Sequence, residues 1–269
     1  MPELPEMETY KHLLMANIAG QMITEVQINR EKSINVNPEL FKNTIMHLKV
    51  LNITRRGKHL LFELQNGQVL LLHLMLGGWM FFGTDVEKPK RTIQIRLSFG
   101  EQHLYFIGLR LGYLHLYSQK EAEQNLSDLG PDPLDSALTL NEFLKRIASK
   151  HGRLKTTMLD QKFIAGIGNC YSAEICFHAG ILPTKDIDDC NELNRTQLFH
   201  SMKLVLQDAT KNGGYMDHPF YMGDSLTGGF YDLRKVYDRE GENCYRCGSI
   251  IVMDMVSSRK TFYCQNCQK

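Results

Sequence analysis

Two CxxC pairs near the C-terminal end constrain the fold of this chain more than any other feature. Cys244-Tyr-Arg-Cys247 and Cys264-Gln-Asn-Cys267 are separated by 16 residues, the spacing of a four-thiolate Zn2+ site with each pair on a tight knuckle. Between them residues 250–256 and 260–263 can pair as a hairpin. Four sulfur ligands leave no open position, so such a zinc is structural rather than catalytic. Paired disulfides or a redox pair are the other uses of cysteines placed this way. The remaining three, Cys170, Cys176 and Cys190, are scattered and read as buried fillers. An odd total of seven with no secretory leader points to reduced thiols and a cytoplasmic protein. Arg259 and Lys260 lie near the predicted hairpin turn, where a cation can reach a nucleic-acid groove or simply keep the turn soluble.

At 269 residues the rest of the chain has room for two domains. The net charge of +1 supplies no global attraction to a polyanion, so a nucleic-acid site would need local arrangement of charge. The most apolar run, 69–82, is broken by His73 and too short to span a bilayer, so no membrane partner is expected. Residues 7–18 carry Leu13, Leu14 and Ile18 at helical spacing. From 23 to 116 the pattern changes to short β-rich segments, at 24–29, 59–64, 69–74, 92–99 and 102–106. The Asn66-Gly67 pair between two of them is a strong hairpin signal. Leu129-Gly130-Pro131-Asp132-Pro133-Leu134 disfavours helix and strand alike and marks a boundary. Beyond it, 140–149, 154–161, 171–178 and 195–209 read as helices, and 213–231 as a long aperiodic loop of the kind that usually serves function or moves. The predicted fold class is α+β: a β-sandwich with a leading helix in 1–130, a helical domain in 131–232 and a zinc finger in 233–269.

Chemistry gathers at the other end of the chain. In Met1-Pro2-Glu3-Leu4-Pro5-Glu6, removal of the initiator methionine would leave Pro2 with a secondary amine. An α-amino group of that kind has a pKa of about 8 and is partly unprotonated at neutral pH. It can attack a sugar or carbonyl carbon and form an iminium, with Glu3 and Glu6 beside it to move protons. Proline and acids also suit an ordinary first helical turn. Arg55-Arg56-Gly57-Lys58 places an ammonium at a strand entry, and Gly166-Ile167-Gly168-Asn169 makes a tight turn whose helix start favours an anion. Tyr237 and Arg239, just before the finger, offer groups for phosphate contacts.

Taken together and in this order, these motifs resemble the formamidopyrimidine-DNA glycosylase and endonuclease VIII family of base-excision repair enzymes. The first six residues are closer to the formamidopyrimidine branch, and 159–169 looks like the family's helix–two-turn–helix. The resemblance implies a bifunctional DNA glycosylase and abasic-site lyase, monomeric and acting on duplex DNA, in which Pro2 attacks C1′ of a nucleotide flipped from the duplex. It implies catalytic roles for Glu3, Glu6 and Lys58, and DNA-backbone contacts for Lys155, Asn169, Tyr237 and Arg259.

The departures lie among the residues that read DNA. The family's His-Leu-x-Met is here His73-Leu74-Met75-Leu76, and its Arg-Arg-Phe-Gly is Leu109-Arg110-Leu111-Gly112. Leu76, Leu109 and Leu111 therefore stand at the positions that fill and wedge the opened helix. An apolar wedge can still unstack DNA but donates no hydrogen bond to the opposite base. The Thr/Ser-rich loop of the formamidopyrimidine branch is replaced by Tyr215-Met216-Asp217-His218-Pro219-Phe220. Excision of oxidised bases of the 8-oxoguanine or formamidopyrimidine class with relaxed lesion and opposite-base selectivity is the expectation. The alternatives are an oxidised-pyrimidine glycosylase in the endonuclease VIII manner or mainly an abasic-site lyase, and, behind these, a non-catalytic damage-binding protein.

Overall fold

The structure, a computed structural model, describes residues 1–269. The chain divides into two compact units, Met1–Ser127 with Asn212–Gly229, and Asp128–Lys211 with Phe230–Lys269.

The first unit begins with helix α1 (Leu4–Ile18). Glu3 at its N-cap donates its backbone N–H to the Glu6 carboxylate at 2.8 Å, and Pro5 sits in the first turn, where it forfeits no intrahelical bond. Met7, Tyr10, Leu14 and Ile18 are fully buried, the three-and-four spacing of one helix face. Two four-stranded antiparallel sheets follow. One has the order β1 (Glu25–Ile28), β6 (Ile93–Phe99), β7 (Gln102–Ile107), β5 (Trp79–Gly83). The other has the order β2 (Val50–Arg56), β3 (His59–Leu64), β4 (Gln68–His73), β8 (Tyr113–Ser118). The β3–β4 hairpin turns at Asn66-Gly67 as predicted, with Gly67 at φ +80°. Its register pairs Leu60 with Leu72 and Phe62 with Leu70, which points all four into the core. That core is one cluster drawing on both sheets and on α1, so the strands form a sandwich.

Strands β2, β5 and β8 and the helices α2 (Pro38–Ile45) and α3 (Gln119–Leu126) were not apparent in sequence. β2 mixes Asn52, Thr54 and two arginines into its alternation, and β5 is five buried residues without a polar face. The segment Asn212–Gly229, read in sequence with the helical region, packs with the first unit. Phe220 explains why. It is fully buried, stacks on Phe82 at 6.1 Å, lies 5.8 Å from Tyr10, and accepts the Phe82 N–H on its carbonyl at 2.6 Å. Asp224 organises the loop by accepting the N–H groups of Phe220, Leu226 and Thr227.

The second unit holds α4 (Leu140–Ala148), α5 (Leu154–Leu159), α6 (Asn169–Ala179) and α7 (Glu192–Lys211). Phe143 contacts both Phe163 and Phe199, tying α4 to α7 and to the turn after α5. That turn is closed by Gln161, whose amide donates to the carbonyls of Leu159 and Ile167 and accepts the Gly166 N–H. The finger hairpin pairs β9 (Val252–Val256) with β10 (Arg259–Tyr263). It shares a small core with α6 through Ala173, Phe177, Val236, Ile251 and Phe262. No helix is long and apolar enough to cross a membrane.

Candidate active site and metal centre

Pro2, Glu3 and Glu6 are all buried, Glu3 at 1% exposure and Glu6 at 2%. Glu6 is the organising residue. One carboxylate oxygen accepts the Glu3 N–H, and the other accepts the Tyr215 N–H at 2.8 Å. The Tyr215 hydroxyl in turn donates to the Met1 carbonyl at 3.2 Å. Loop 212–229 thus holds the start of the chain from two directions. Sequence reasoning missed Tyr215, because nothing local marks a tyrosine as a partner for a residue more than 200 positions earlier.

Lys58 occupies the turn between β2 and β3 and is 7% exposed. Its turn is braced to α1: Arg55 donates to the Glu8 carboxylate at 2.6 Å and to the Gly57 carbonyl at 3.1 Å. Burial acts to raise the Glu8 carboxyl, but hydrogen bonds from Lys11 and Arg55 outweigh it and hold the pKa below the usual range. Beside Lys58, the cross-strand pair His59 and His73 have ring centroids 4.2 Å apart. Burial, with the neighbouring Lys58 cation adding to it, pushes His59 down to about 4 and His73 down to about 3. Both imidazoles are therefore neutral at physiological pH.

In the second unit, Lys155 is fully buried and donates to the main-chain oxygen of Asn169 at 2.9 Å. Lys155, expected to contact the DNA backbone, is thus held beneath the surface against the start of α6. Asn169 does not cap α6. Gly168 is the N-cap, and the Asn169 side chain donates to the Lys260 carbonyl of β10 at 2.9 Å, leaving its own oxygen without a partner. One hydrogen-bonded chain therefore links α5, the start of α6 and the hairpin. Arg259 is exposed at the first position of β10, directly after the turn residues Ser257 and Ser258. Tyr237 is half-buried, with its ring edge-on to Phe262 at 5.3 Å. Glu174, which no local pattern marks, shapes this segment. Its buried carboxylate accepts the N–H groups of Lys235, Val236 and Tyr237, and burial outweighs those bonds to raise its pKa.

The three leucines separate. Leu76 and Leu111 are 66% and 63% exposed. Leu76 follows Met75, a non-glycine residue held at φ +53°, a conformation that costs on the order of 1 kcal/mol and is found where structure forces it. Leu109, expected to face DNA, is instead fully buried in the sandwich core. Its N–H donates to Gln94 and its carbonyl accepts from Ser33, both at 3.1 Å, so its main chain is pinned.

The four finger cysteines converge as their spacing predicted, with all ligand atoms within 4.8 Å of one another. Cys244 and Cys267 sulfurs are 3.9 Å apart, and those of Cys247 and Cys264 are 3.5 Å apart. Sulfurs at about 2.3 Å from a tetrahedral zinc have separations of that order. The donor set fits zinc and leaves no place for substrate.

Comparison with known proteins agrees with this geometry over the whole length. Family models match in order: "Formamidopyrimidine-DNA glycosylase N-terminal domain" at residues 1–113, "Formamidopyrimidine-DNA glycosylase H2TH domain" at 129–218, and "Zinc finger found in FPG and IleRS" at 241–269. A formamidopyrimidine-DNA glycosylase of Pelotomaculum thermopropionicum is 36% identical, covering 100% of this chain and 99% of its own. One from Rickettsia africae is 31% identical, covering 100% and 99%. Among solved structures, the Lactococcus lactis Fpg bound to DNA containing an abasic site superposes with a TM-score of 0.92 at 28% identity, over 99% of each chain. The same relative bound to DNA containing N7-benzyl-Fapy-dG gives 0.92 and 28% over 100% of each. The finger is a structural zinc site.

Proposed function

The chain belongs to the formamidopyrimidine-DNA glycosylase family, and we propose that it excises oxidised bases from duplex DNA and cuts the resulting abasic site through a covalent intermediate on Pro2. The observation that carries this reading is the buried N-terminal turn, in which Glu3 and Glu6 are fixed beside Pro2 and tied to loop 212–229. Once Met1 is removed, the Pro2 nitrogen has a lone pair to attack C1′ of the damaged nucleotide. The glycosidic electrons leave with the base, which takes up a proton, and the sugar ring opens to an iminium. That cation acidifies the C2′ hydrogen, and its loss expels the 3′ phosphate and breaks the strand. Glu3, at the head of the helix, moves protons at the sugar. Glu6 holds the geometry, and Lys58 supplies a cation to the phosphate and the reacting centre.

The second unit supplies grip rather than chemistry. Arg259, Asn169 and Tyr237 contact the backbone and carry no sequence information, while Lys155 positions Asn169. Selectivity for the base opposite the lesion is relaxed, because Leu109 lies in the core and Leu111 offers no donor. The Lactococcus relative's complexes with abasic-site and Fapy-dG DNA support the substrate class.

Borohydride trapping on abasic-site duplex tests the mechanism. Wild type should give a stable protein–DNA adduct mapping to Pro2, and Pro2→Gly should lose it while still binding the duplex. An adduct on another side chain, or strand cutting by protein that retains Met1, would sink the Pro2 mechanism.

A further inference from the structure

A cavity of about 440 Å³ lies in the second unit, and none of Lys155, Asn169, Tyr237 and Arg259 lines it. It is within the size range of ligand sites. Phe177 of α6, Val205 of α7 and Phe230 form its buried wall. Around the mouth Leu204, Leu233 and Tyr245 are 54%, 38% and 65% exposed, so the apolar surface continues outwards past the opening. Contiguous apolar surface with a polar rim marks a contact for another molecule. A small ligand would fill the cavity and leave those three side chains wet, whereas a polypeptide covers both. Two cations stand at the same mouth. The Arg246 guanidinium, in the first knuckle, lies 4.3 Å from the centre of the Phe177 ring, and the Lys235 ammonium 5.6 Å from that of Tyr245. Both are exposed, and neither is paired with a carboxylate of the protein. Two acids share the lining. The Glu174 carboxylate is buried and spent on the N–H groups of Lys235, Val236 and Tyr237, so two exposed cations face one exposed acid, Asp208 of α7. The exposed charge favours an anionic partner.

We propose that this face docks an acidic polypeptide segment of a partner protein. One large apolar side chain of the segment seats in the cavity, and its carboxylates lie against Arg246 and Lys235. Every lining residue belongs to the second unit, so docking tethers the partner without touching the N-terminal turn that carries Pro2.

Fluorescence anisotropy on the zinc-loaded full chain tests this. The probes are labelled short peptides with phenylalanine, tryptophan, leucine or alanine at the centre and aspartate on both sides, and the same set flanked by lysine. At least one of the large apolar centres between aspartates should bind about tenfold more tightly than alanine, the scale of burying such a side chain, and more tightly than its lysine-flanked counterpart. Arg246→Glu and Lys235→Glu should each weaken that binding about tenfold, the scale of one lost charge-assisted hydrogen bond. Leu204→Asp, at an exposed position of α7, should weaken it as well without entering the knuckle. Zinc content and denaturant midpoint at the wild-type level in the three variants separate a lost docking face from a lost fold. Absence of binding across the aspartate set, binding indifferent to the central residue, or binding unchanged in Lys235→Glu and Leu204→Asp overturns the proposal. Naphthoate that binds as tightly as the peptides assigns the cavity to small aromatic anions and overturns it too.

Discussion

Glu6 concentrates the site's constraints in one side chain. Its two carboxylate oxygens serve two different backbone N–H groups, one in the N-terminal turn and one in the loop. Hydrogen bonds to a buried charged group are worth more than the neutral kind, and losing one leaves an unsatisfied donor. Gly214 is what lets the loop come this close. It sits at φ +73°, and a Cβ built there would lie 2.3 Å from the Glu6 oxygen. Gly214→Ala therefore meets both a strained backbone and a displaced carboxylate. We expect it to destabilise the first unit by about 2 kcal/mol and to slow abasic-strand cutting at least tenfold, the loss expected when positioning slips by about 1 Å. Denaturant midpoint and single-turnover cutting measure the two effects, and normal turnover in the variant would remove the loop from the catalytic assembly. The same scale of argument explains Lys155. With 0% exposure and the Asn169 carbonyl 2.9 Å away, its ammonium supports the start of α6.

At the scale of elements, the finger hairpin turns through Ser257 and Ser258, both with positive φ (47° and 61°). Two-residue turns with that backbone favour Asn-Gly because a Cβ is strained there. Ser258→Gly should accordingly stabilise the hairpin by about 1 kcal/mol, visible as slower zinc loss to a chelator. Faster loss would mean that the serine makes a contact worth more than the strain. This hairpin was legible from the cysteine spacing, since two knuckles 16 residues apart leave room for little else. The β3–β4 hairpin was legible for a similar reason, through Asn66-Gly67. Local pattern failed where an element's identity depends on distant partners. Loop 212–229 has no period, and its place is set by Phe220 packing on Phe82 and by Asp224 bonding within the loop. Leu109 could not be placed from sequence, which shows a leucine at a position similar to the family's DNA-reading motif but not that it packs in the core. Residue types singled out the N-terminal hexapeptide but left an ordinary helix start equally open, and the brace from Glu8 through Arg55 to the turn carrying Lys58 depends on partners 47 positions apart that no local pattern marks.

For the molecule as a whole, the net charge of +1 does not set the response to acid; the buried histidines do. His59 and His73 are folded as neutral bases, their pKa values pushed down to about 4 and about 3 by burial, with Lys58 nearby adding to it. In the unfolded chain each returns to about 6.5. Between those values the unfolded state binds protons that the folded state refuses, so stability falls as pH drops from 6.5 towards 4. His103 and His115 are also pulled below the ordinary value, mainly by burial, and act in the same direction. The carboxylates held low by hydrogen bonds, Glu8 and Asp224 among them, lose their contribution only in more acidic solution. Glu174, raised by burial, takes up its proton in the folded state and acts in the opposite direction, so the histidines are read from the difference between wild type and variant in the window from pH 6.5 to 4.5. Replacing both of the cross-strand pair, His59→Gln with His73→Gln, should flatten the fall in unfolding free energy across that window by on the order of 2 kcal/mol. Urea titrations of wild type and variant at several pH values give the slopes. Parallel slopes would show that the two rings take up protons without unfolding, and that the space around Lys58 is wetter than its 7% exposure implies.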